Sequence, residues 1–391
     1  MQRQIRFFLL AAGLLLTACT TLEKPPAPVT IPPIVIPPIP PVPKLQVSTW
    51  DALPDWTEDN LVQAWDAFLQ SCSALTNQLA WQPVCLTAEF FEHKNNQALR
   101  IFFELNFTPY QVLNADGSDE GLVTGYYEPL LYGSRTPSKR HRYPLYGVPD
   151  DLLVVDMSDV YPELKNMRLR GRVVGKKVVP YYSRTEIERG EPVLKGRELL
   201  WVDDPVELFF LQIQGSGRVK LESGETVRIG YAEQNGYPYK SIGRLLVERG
   251  ELPLEKASMQ GIKNWGVQNP ERLAALLNEN PSYVFFRVLP SNLPGPIGAL
   301  GVPLTTGRSL AIDPRSIPQG APVYLSTTWP NSNKPLNRLM LAQDRGGAIN
   351  GGVRADFFWG FGEEAANQAG KMKQSGKMWV LLPKDYAPQP N

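Results

Sequence analysis

The spacing of apolar and polar residues divides the chain into helical and strand-forming stretches. Apolar residues recur every three or four positions from Asn60 to Leu75 and from Thr87 to Leu105, which predicts two amphipathic helices. Between Gly121 and Gly230, short runs rich in β-branched and aromatic residues alternate with Gly, Pro and Ser. This pattern predicts strands at LVTGYY, RVVGKKVV, ELFFLQIQ and TVRIGY, with Gly215-Ser216-Gly217 as a tight turn between two of them.

The second half of the chain repeats the change from helix to strand. Helices are predicted at Ser241 to Arg249, at Leu254 to Trp265 and at Pro270 to Asn278, the last with Asn269 as its N-cap. From Gly298 onward the predicted strands are LGVPL, SLAIDP, APVYLST, RLMLAQD, ADFFWG and MWVLLP. Many short strands in so little sequence favour a small closed barrel over a sandwich. The predicted class is α+β, mainly β, with helices packed on a barrel.

The N-terminus has the pattern of an export signal. Arg3 and Arg6 precede an apolar run from Phe7 to Leu16, which is too short to span a bilayer. The run ends in Leu-Thr-Ala-Cys, which resembles the lipobox of bacterial lipoproteins. We therefore expect a signal peptide over residues 1–18 and a lipidated Cys19. An ordinary signal peptide cleaved elsewhere is the alternative.

A proline-rich segment follows the lipobox. Proline recurs every second or third residue from Pro25 to Lys44, and such a sequence adopts extended polyproline II structure. Residues 19–44 are therefore predicted to be a lipidated cysteine followed by a stiff spacer, with the globular sequence starting near Leu45. The alternative, a ligand for a proline-recognition domain, has no receptor context.

Composition excludes several classes of function. The 391 residues include 40 Lys and Arg against 39 Asp and Glu, and the basic residues are dispersed, which argues against a nucleic-acid partner. His93 and His141 are the only histidines, so neither a metal nor a cofactor is expected. Cys72 and Cys85 form an even pair in an exported chain, and a disulfide and a buried free thiol are both open.

Two aspartates flank a glycine-rich loop near the C-terminus, in DRGGAINGGVRADFFWG, Asp344 to Gly360. Asp344 ends one predicted strand and Asp356 begins the next, so both carboxyls could lie on one rim. A carboxyl near Phe357, Phe358 and Trp359, or near a second aspartate, would hold its proton closer to neutral pH. That property suits a general acid acting on a glycosidic oxygen. The alternative for each aspartate is a turn residue that caps its own backbone.

A basic stretch, Lys139 to Arg142, has two interpretations. It is either a solvated face of the protein or a contact for the acidic groups of a murein strand.

Several motifs together resemble one family. The stretches DRGGAINGGVRADFFWGFGEEA and SLAIDPRSIPQGAPVYL resemble the C-terminal 3D domain, named for three aspartates, here Asp313, Asp344 and Asp356. Upstream, TGYYEP, LQIQGSGRV, NGYPYKSIG and NPSYVFF resemble the membrane-bound lytic murein transglycosylase A family, from about Gly121 to the end of the chain.

The resemblance implies a domain arrangement. A double-psi β-barrel catalytic domain would consist of residues 45–128 and 291–391, with the 3D domain at about 298–384. A second β-rich domain, residues 129–290, would be inserted between them, and the glycan strand would lie in the groove between the two domains.

The resemblance also implies a reaction. Asp356 would protonate the oxygen that links N-acetylmuramic acid to N-acetylglucosamine, and would then take a proton from the muramic acid C6 hydroxyl to close a 1,6-anhydro ring. Asp344 and, less directly, Asp313 would support Asp356 or hold the loop. Candidate sugar-binding residues are Thr124, Tyr126, Tyr127, Gln212, Gln214, Ser216, Tyr237, Tyr239 and Trp359.

Two other functions remain open from the sequence. One is a lysozyme-like hydrolase that uses Asp344 and Asp356 as paired carboxylates. The other is a non-catalytic lipoprotein that binds the cell wall. The expected partners are peptidoglycan strands and, through Cys19, a membrane. Thr20 after Cys19 favours the outer membrane, facing the periplasm.

Overall fold

The computed structural model of the chain describes residues 44–164 and 167–386. The predicted signal peptide at residues 1–18, the predicted lipidation site at Cys19 and the proline-rich segment up to Pro43 lie outside the described residues.

The described ranges contain nine α-helices and several single 3₁₀ turns. The helices are α1 Val62–Leu75, α2 Gln82–Glu89, α3 Asn96–Asn106, α4 Arg184–Glu188, α5 Pro205–Gln214, α6 Ile242–Glu248, α7 Met259–Gln268, α8 Pro270–Asn278 and α9 Glu363–Lys371. The predicted helix from Thr87 to Leu105 is wrong as one element, because the chain breaks between α2 and α3. There the Asn95 side chain accepts a hydrogen bond from the Ala98 N–H at 3.0 Å and starts a new helix.

Seventeen strands form within the same ranges. They are β1 Leu45–Val47, β2 Phe107–Val112, β3 Gly121–Glu128, β4 Leu130–Ser134, β5 Tyr143–Tyr146, β6 Leu153–Val154, β7 Arg170–Val174, β8 Lys177–Pro180, β9 Glu198–Val202, β10 Ser216–Leu221, β11 Thr226–Gln234, β12 Val284–Leu289, β13 Ser309–Ile312, β14 Pro322–Thr328, β15 Pro335–Asp344, β16 Arg354–Phe361 and β17 Lys373–Pro383.

The largest sheet closes on itself. Its order is β1-β2-β17-β14-β15-β13-β16-β3, and β17 also pairs with β3, so six of the strands form a ring. The pairs β3–β16 and β13–β15 are parallel, and the remaining pairs in the ring are antiparallel. A closed β architecture with packed helices is therefore present, and the double-psi crossover itself stays a prediction.

Two further sheets are built from the middle of the chain. A six-stranded sheet has the order β12-β11-β10-β4-β9-β5, and a three-stranded sheet has the order β6-β7-β8. All of these strands lie between residues 130 and 289. The domain boundaries at residues 128 and 291 stay a prediction.

Three predicted strands are wrong. The run RVVGKKVV is not one strand but the hairpin of β7 and β8, which turns at Gly175 and Lys176. The run ELFFLQIQ is α5, which starts where the Asp204 side chain accepts hydrogen bonds from the N–H groups of Val206 and Glu207, with Pro205 at the first helical position. Gly215 has a φ of +78° and ends this helix, so it is a C-cap and not a turn between strands. The run LGVPL forms a single bridge, Ile297 to Pro303, and no strand.

The main core lies between α1, α2, α3 and the closed sheet. Aromatic rings fill it, and Trp65, Phe68 and Phe103 are all buried. Cys72 of α1 and Cys85 of α2 form a disulfide, which decides between the two states left open by the sequence. The buried Arg308 donates hydrogen bonds to both carboxylate oxygens of Asp59. The Leu339 N–H of β15 also donates to Asp59, at 2.6 Å, so this carboxylate ties the N-terminal segment to β15.

Candidate active site

Strand register brings the two loop aspartates to one level of the closed sheet. Ala311 of β13 is paired with Asp344 of β15 on one side and with Asp356 of β16 on the other. Asp356 is in turn paired with Thr124 of β3. Because neighbouring strands lie about 4.8 Å apart, the backbones of the two aspartates are roughly 10 Å apart.

Asp356 is held by a short chain of hydrogen bonds. The Thr124 hydroxyl donates to Asp356 Oδ1 at 2.7 Å, and the Arg354 Nη2 donates to the Thr124 hydroxyl oxygen at 3.0 Å. The Asp356 side chain stays partly accessible, and its Oδ2 accepts no hydrogen bond from the described residues. One carboxyl oxygen is thus fixed and the other is available.

The surroundings of Asp356 favour its protonated form. Burial raises the pKa of Asp356 to about 6 against the effect of the Thr124 hydrogen bond and of the Arg354 charge, both of which lower it, and the nearby Asp344 charge raises it further. A carboxyl with a pKa near 6 can both give and take a proton near neutral pH.

Asp344 has no free oxygen. Its Oδ1 accepts hydrogen bonds from the N–H groups of Ala299 and Arg345, each at 2.9 Å, and its Oδ2 accepts one from the Tyr126 hydroxyl at 2.9 Å. Burial raises the pKa of Asp344, although these three hydrogen bonds and the charge of Arg168 act to lower it. The arrangement fits a group that fixes the loop and lends negative charge.

An apolar cluster lies beside the carboxyls. It is formed by Tyr126, Leu304, Ala311, Ile349 and Phe358. The rings of Tyr126 and Phe358 lie 5.1 Å apart. This cluster is the low-dielectric surface that disfavours ionisation of the Asp356 carboxyl. Of the three aromatic residues that the sequence suggested for this role, it includes only Phe358.

Asp313 lies in a different environment. Its carboxylate accepts hydrogen bonds from the Arg315 guanidinium, at 2.6 Å for Nη2, and from the Gly351 N–H at 2.8 Å. Burial would raise the pKa of Asp313, but these hydrogen bonds and the Arg315 charge outweigh it and lower the pKa below its ordinary value. Asp313 therefore anchors the end of the glycine-rich loop and makes no hydrogen bond to Asp356.

Trp359 lies away from Asp356. Residues in a strand alternate between faces, and Trp359 packs with Phe357, whose ring is 4.6 Å away, and with Trp329, at 5.4 Å. Its Nε1 donates to the Met372 sulfur at 3.3 Å. The structure places this ring against the main core, so it does not join Asp356 as the sequence suggested.

Four further predicted sugar-binding residues make their contacts away from the two carboxyls. Gln214 and Tyr127 meet, because the Tyr127 N–H donates to Gln214 Oε1 at 3.0 Å. Gln212 and Ser216 are buried, and Gln212 Oε1 accepts a hydrogen bond from Arg184.

The two tyrosines of the NGYPYKSIG motif are less enclosed. Tyr237 is partly exposed and Tyr239 is exposed, and neither makes a hydrogen bond with Asp344 or Asp356. Thr124 and Tyr126 are thus the two predicted sugar-binding residues that the structure brings to the carboxyls.

Sequence reasoning missed four groups near the carboxyls: Ala299, Leu304, Arg354 and Arg168. Arg354 precedes the predicted strand ADFFWG by one residue, and the observed β16 includes it. Because it lies two residues before Asp356, extending the predicted strand by one residue would have placed both on the same face. Ala299 acts through its backbone N–H, which leaves no trace in the residue type. Arg168 reaches the site from the inserted segment and could not be found by local pattern.

The described ranges contain no helix that is both long and apolar enough to cross a bilayer. No group of three or more His, Cys, Asp or Glu side chains in residues 44–164 and 167–386 is placed to hold a metal ion.

Comparison with known proteins places the chain in a family. Residues 122–287 match the model of the MltA specific insert domain, and residues 308–382 match that of the 3D domain. The membrane-bound lytic murein transglycosylase A of Escherichia coli strain K12 is 33% identical over 280 residues, which cover 70% of this chain and 68% of that protein.

Solved structures agree with these matches. The crystal structure of MltA from Neisseria gonorrhoeae in its monoclinic form is 42% identical, covers 89% of this chain and 94% of its own, and superposes with a TM-score of 0.76. The structure of E. coli MltA with bound chitohexaose is 26% identical, covers 89% and 96%, and has a TM-score of 0.64. The chain therefore belongs to the membrane-bound lytic murein transglycosylase A family, whose members are enzymes acting on peptidoglycan.

Proposed function

We propose that Asp356 carries out both proton transfers of a non-hydrolytic cleavage of the MurNAc-GlcNAc β-1,4 bond. The neutral carboxyl gives its proton to the bridging oxygen, the bond from that oxygen to C1 of the muramic acid breaks, and positive charge develops at C1. The carboxylate then removes the proton of the C6 hydroxyl of the same sugar as O6 bonds to C1. No water is consumed, and the carboxyl regains its proton.

The observation that carries this proposal is the pair of unequal oxygens on Asp356. Oδ1 is held by Thr124, and Oδ2 is the oxygen left to exchange a proton with substrate. A pKa of about 6 suits a group that must be an acid first and a base afterwards. Chitohexaose bound to the E. coli relative supports a glycan strand as the ligand.

The hydrolytic alternative needs a second carboxylate that activates water or attacks the sugar. Asp344 is the candidate, but its oxygens are occupied by Ala299, Arg345 and Tyr126. The hydrogen bonding therefore favours a single acting carboxyl.

Mass spectrometry of the products tests this proposal. Purified sacculi digested by the wild-type protein are expected to release muropeptides with 1,6-anhydro ends, which are lighter by one water than hydrolysis products. Reducing ends from the start of the digestion would overturn the proposed reaction in favour of a hydrolase.

We also propose that Cys19 anchors the protein to the outer membrane, facing the periplasm, with the proline-rich segment as spacer. The family name supports membrane attachment. Replacing Cys19 by Ser is expected to move the protein from the membrane fraction to the soluble fraction. If the Cys19→Ser protein stays in the membrane fraction, lipidation at this residue is wrong.

A further inference from the structure

Arg168 is a cation near Asp344 and the glycine-rich loop, and it has no partner among the side chains that the structure describes. It precedes β7, and it makes no hydrogen bond and no ion pair within 4.0 Å with any side chain that the structure describes, a set that leaves out the side chains of residues 163, 165 and 166. Its neighbour Arg170 differs, because Arg170 Nη2 is paired with Glu233 at 2.9 Å. Arg168 is only partly buried, so its guanidinium can reach a ligand.

Arg168 lies over the glycine-rich loop. Its Nη1 is 3.6 Å from the position that a Cβ of Gly347 would take. Gly347 is three residues after Asp344, and the charge of Arg168 acts on the carboxyl of Asp344. This basic side chain of the inserted segment therefore meets the loop that joins Asp344 to Asp356.

A second guanidinium lies near enough for its charge to act on the first. Arg345 is exposed, makes no side-chain ion pair with a described residue, and its charge acts on Arg168. Two like charges at short range repel each other unless an anion lies between them. Glu233 and Tyr231 also act on Arg168, but Glu233 already binds Arg170 and accepts a hydrogen bond from Tyr231 at 3.1 Å.

Positive charge at this place has a chemical cost. A cation beside Asp344 or Asp356 stabilises the carboxylate form and so opposes proton donation. The chain nevertheless keeps Arg168 and Arg345 here. The substrate gives a reason, because muramic acid differs from N-acetylglucosamine in a lactyl group that ends in a carboxylate or carries a peptide with carboxylates of its own.

We propose that Arg168, with Arg345 beside it, binds a carboxylate of the muramic acid substituent and so distinguishes a murein strand from a neutral chitin strand. This inference rests on the proposed function. A planar guanidinium can hold a carboxylate through two parallel hydrogen bonds, which gives both affinity and orientation. The basic stretch from Lys139 to Arg142 is a poorer candidate, since Arg140 pairs with Asp203 at 3.3 Å and Arg142 stacks on Tyr143.

The test compares Arg168→Gln and Arg345→Gln with Arg142→Gln as the matched control. The substrates are peptide-free murein strands, peptide-bearing strands, and both after their carboxyls are converted to methylamides. For Arg168→Gln we expect KM to rise roughly 10- to 100-fold on untreated strands, with kcat within about threefold of wild type. The same variant should match the wild-type KM on methylamidated strands, and Arg168→Lys should recover part of the loss.

The two untreated substrates identify the source of the anion. An effect confined to peptide-free strands assigns the lactyl carboxylate, and one confined to peptide-bearing strands assigns the peptide carboxylates. Three results would overturn the inference. The KM of Arg168→Gln could rise equally on untreated and methylamidated strands, it could rise on neither, or the KM of Arg142→Gln could rise as much as that of Arg168→Gln.

Binding measured without turnover separates this inference from the proposed reaction. In an Asp356→Asn background, adding Arg168→Gln should weaken binding of untreated murein strands and leave chitohexaose binding unchanged. That result stands even if the product analysis shows hydrolysis. Equal weakening for murein strands and chitohexaose would show that Arg168 supports the site structurally and does not recognise charge.

Discussion

Asp313 directly follows β13, Asp356 lies in the neighbouring strand β16, and the two carboxyls have opposite surroundings. Asp313 is bound by the Arg315 guanidinium and by the Gly351 N–H, and its pKa is lowered. The Asp356 carboxyl accepts a single hydrogen bond from the described residues, that of the Thr124 hydroxyl, and burial raises its pKa to about 6. An aspartate at this sheet therefore stays charged where a guanidinium is hydrogen-bonded to it. It can keep its proton where its only hydrogen bond comes from a hydroxyl.

The largest expected effect comes from removing each of these two carboxyls in turn. Because general acid–base catalysis contributes about 10²- to 10⁴-fold, Asp356→Asn should lose cleavage of sacculi by at least about 10²-fold. Asp313→Asn should stay within roughly tenfold of wild type, since its role is to hold the loop. The measurement is the rate of muropeptide release, with the exposed Asp66→Asn of α1 as control. Similar losses for both variants would contradict the division of roles.

Asp344 gives an intermediate case. Asp344→Asn keeps the size of the side chain but replaces an acceptor oxygen by an NH₂ group. Either the N–H groups of Ala299 and Arg345 lose their shared acceptor, or the Tyr126 hydroxyl must accept a hydrogen bond where it now donates one. Because small misplacements of a catalytic group cost up to about 10²-fold, we expect kcat to fall roughly 10- to 100-fold. Tyr126→Phe, which removes one donor, should fall less. A larger loss for Tyr126→Phe than for Asp344→Asn would be inconsistent with this arrangement.

The two carboxyls should also differ in their effect on stability. The pKa of Asp356 is above its unfolded value, so this carboxyl lowers the stability of the fold as pH rises from about 4 to about 6. The difference between the ordinary Asp pKa of about 4 and a pKa of about 6 corresponds to at most about 3 kcal/mol of unfolding free energy, and the partial accessibility of the side chain reduces that figure. The unfolding free energy of Asp356→Asn, relative to wild type, should therefore increase between pH 4 and pH 7.

Asp313 has the opposite effect on how the stability of the fold depends on pH. Its lowered pKa stabilises the fold above the unfolded pKa, and this contribution is lost as pH falls through the folded pKa. Asp313→Asn should cost about 1–3 kcal/mol at pH 7, because it weakens hydrogen bonds to a charged group. Denaturant unfolding checks the pair, between pH 4 and pH 7 for Asp356→Asn and between pH 7 and about pH 2 to 3 for Asp313→Asn, because the contribution of Asp313 is lost only below its ordinary pKa of about 4. Relative to wild type, Asp356→Asn should gain stability as pH rises and Asp313→Asn should gain it as pH falls, and changes in the same direction would refute the difference between the two carboxyls.

The smallest expected effect is on the pH dependence of kcat. Asp356 must start protonated, so kcat should decline as pH rises through about 6. The Thr124 hydrogen bond lowers that pKa, and Thr124→Val should move the decline to higher pH as well as reduce kcat. Thr108→Val on β2, a strand outside the closed ring, is a control. A decline at the same pH in Thr124→Val would show that the hydroxyl does not tune Asp356.

Local sequence signals predicted part of this structure well. The helix at Pro270–Asn278 has the predicted bounds, and five of the six predicted C-terminal strands are present, because alternation and turn residues are local properties. The failures have local causes too. ELFFLQIQ contains only apolar and helix-compatible residues, and its helical state follows from the Asp204 and Pro205 cap that precedes it.

The sequence by itself determined the carboxylate chemistry, the strands that carry Asp344 and Asp356, and the family. These depend on residue types and on spacings of a few positions along the chain. Only the tertiary structure decided which oxygens are occupied, which aspartate is neutralised by a guanidinium, that Trp359 faces the core, and that Arg168 reaches the loop. These depend on contacts between residues far apart in sequence, where pKa and access are set by burial and by neighbouring charges that no local pattern records.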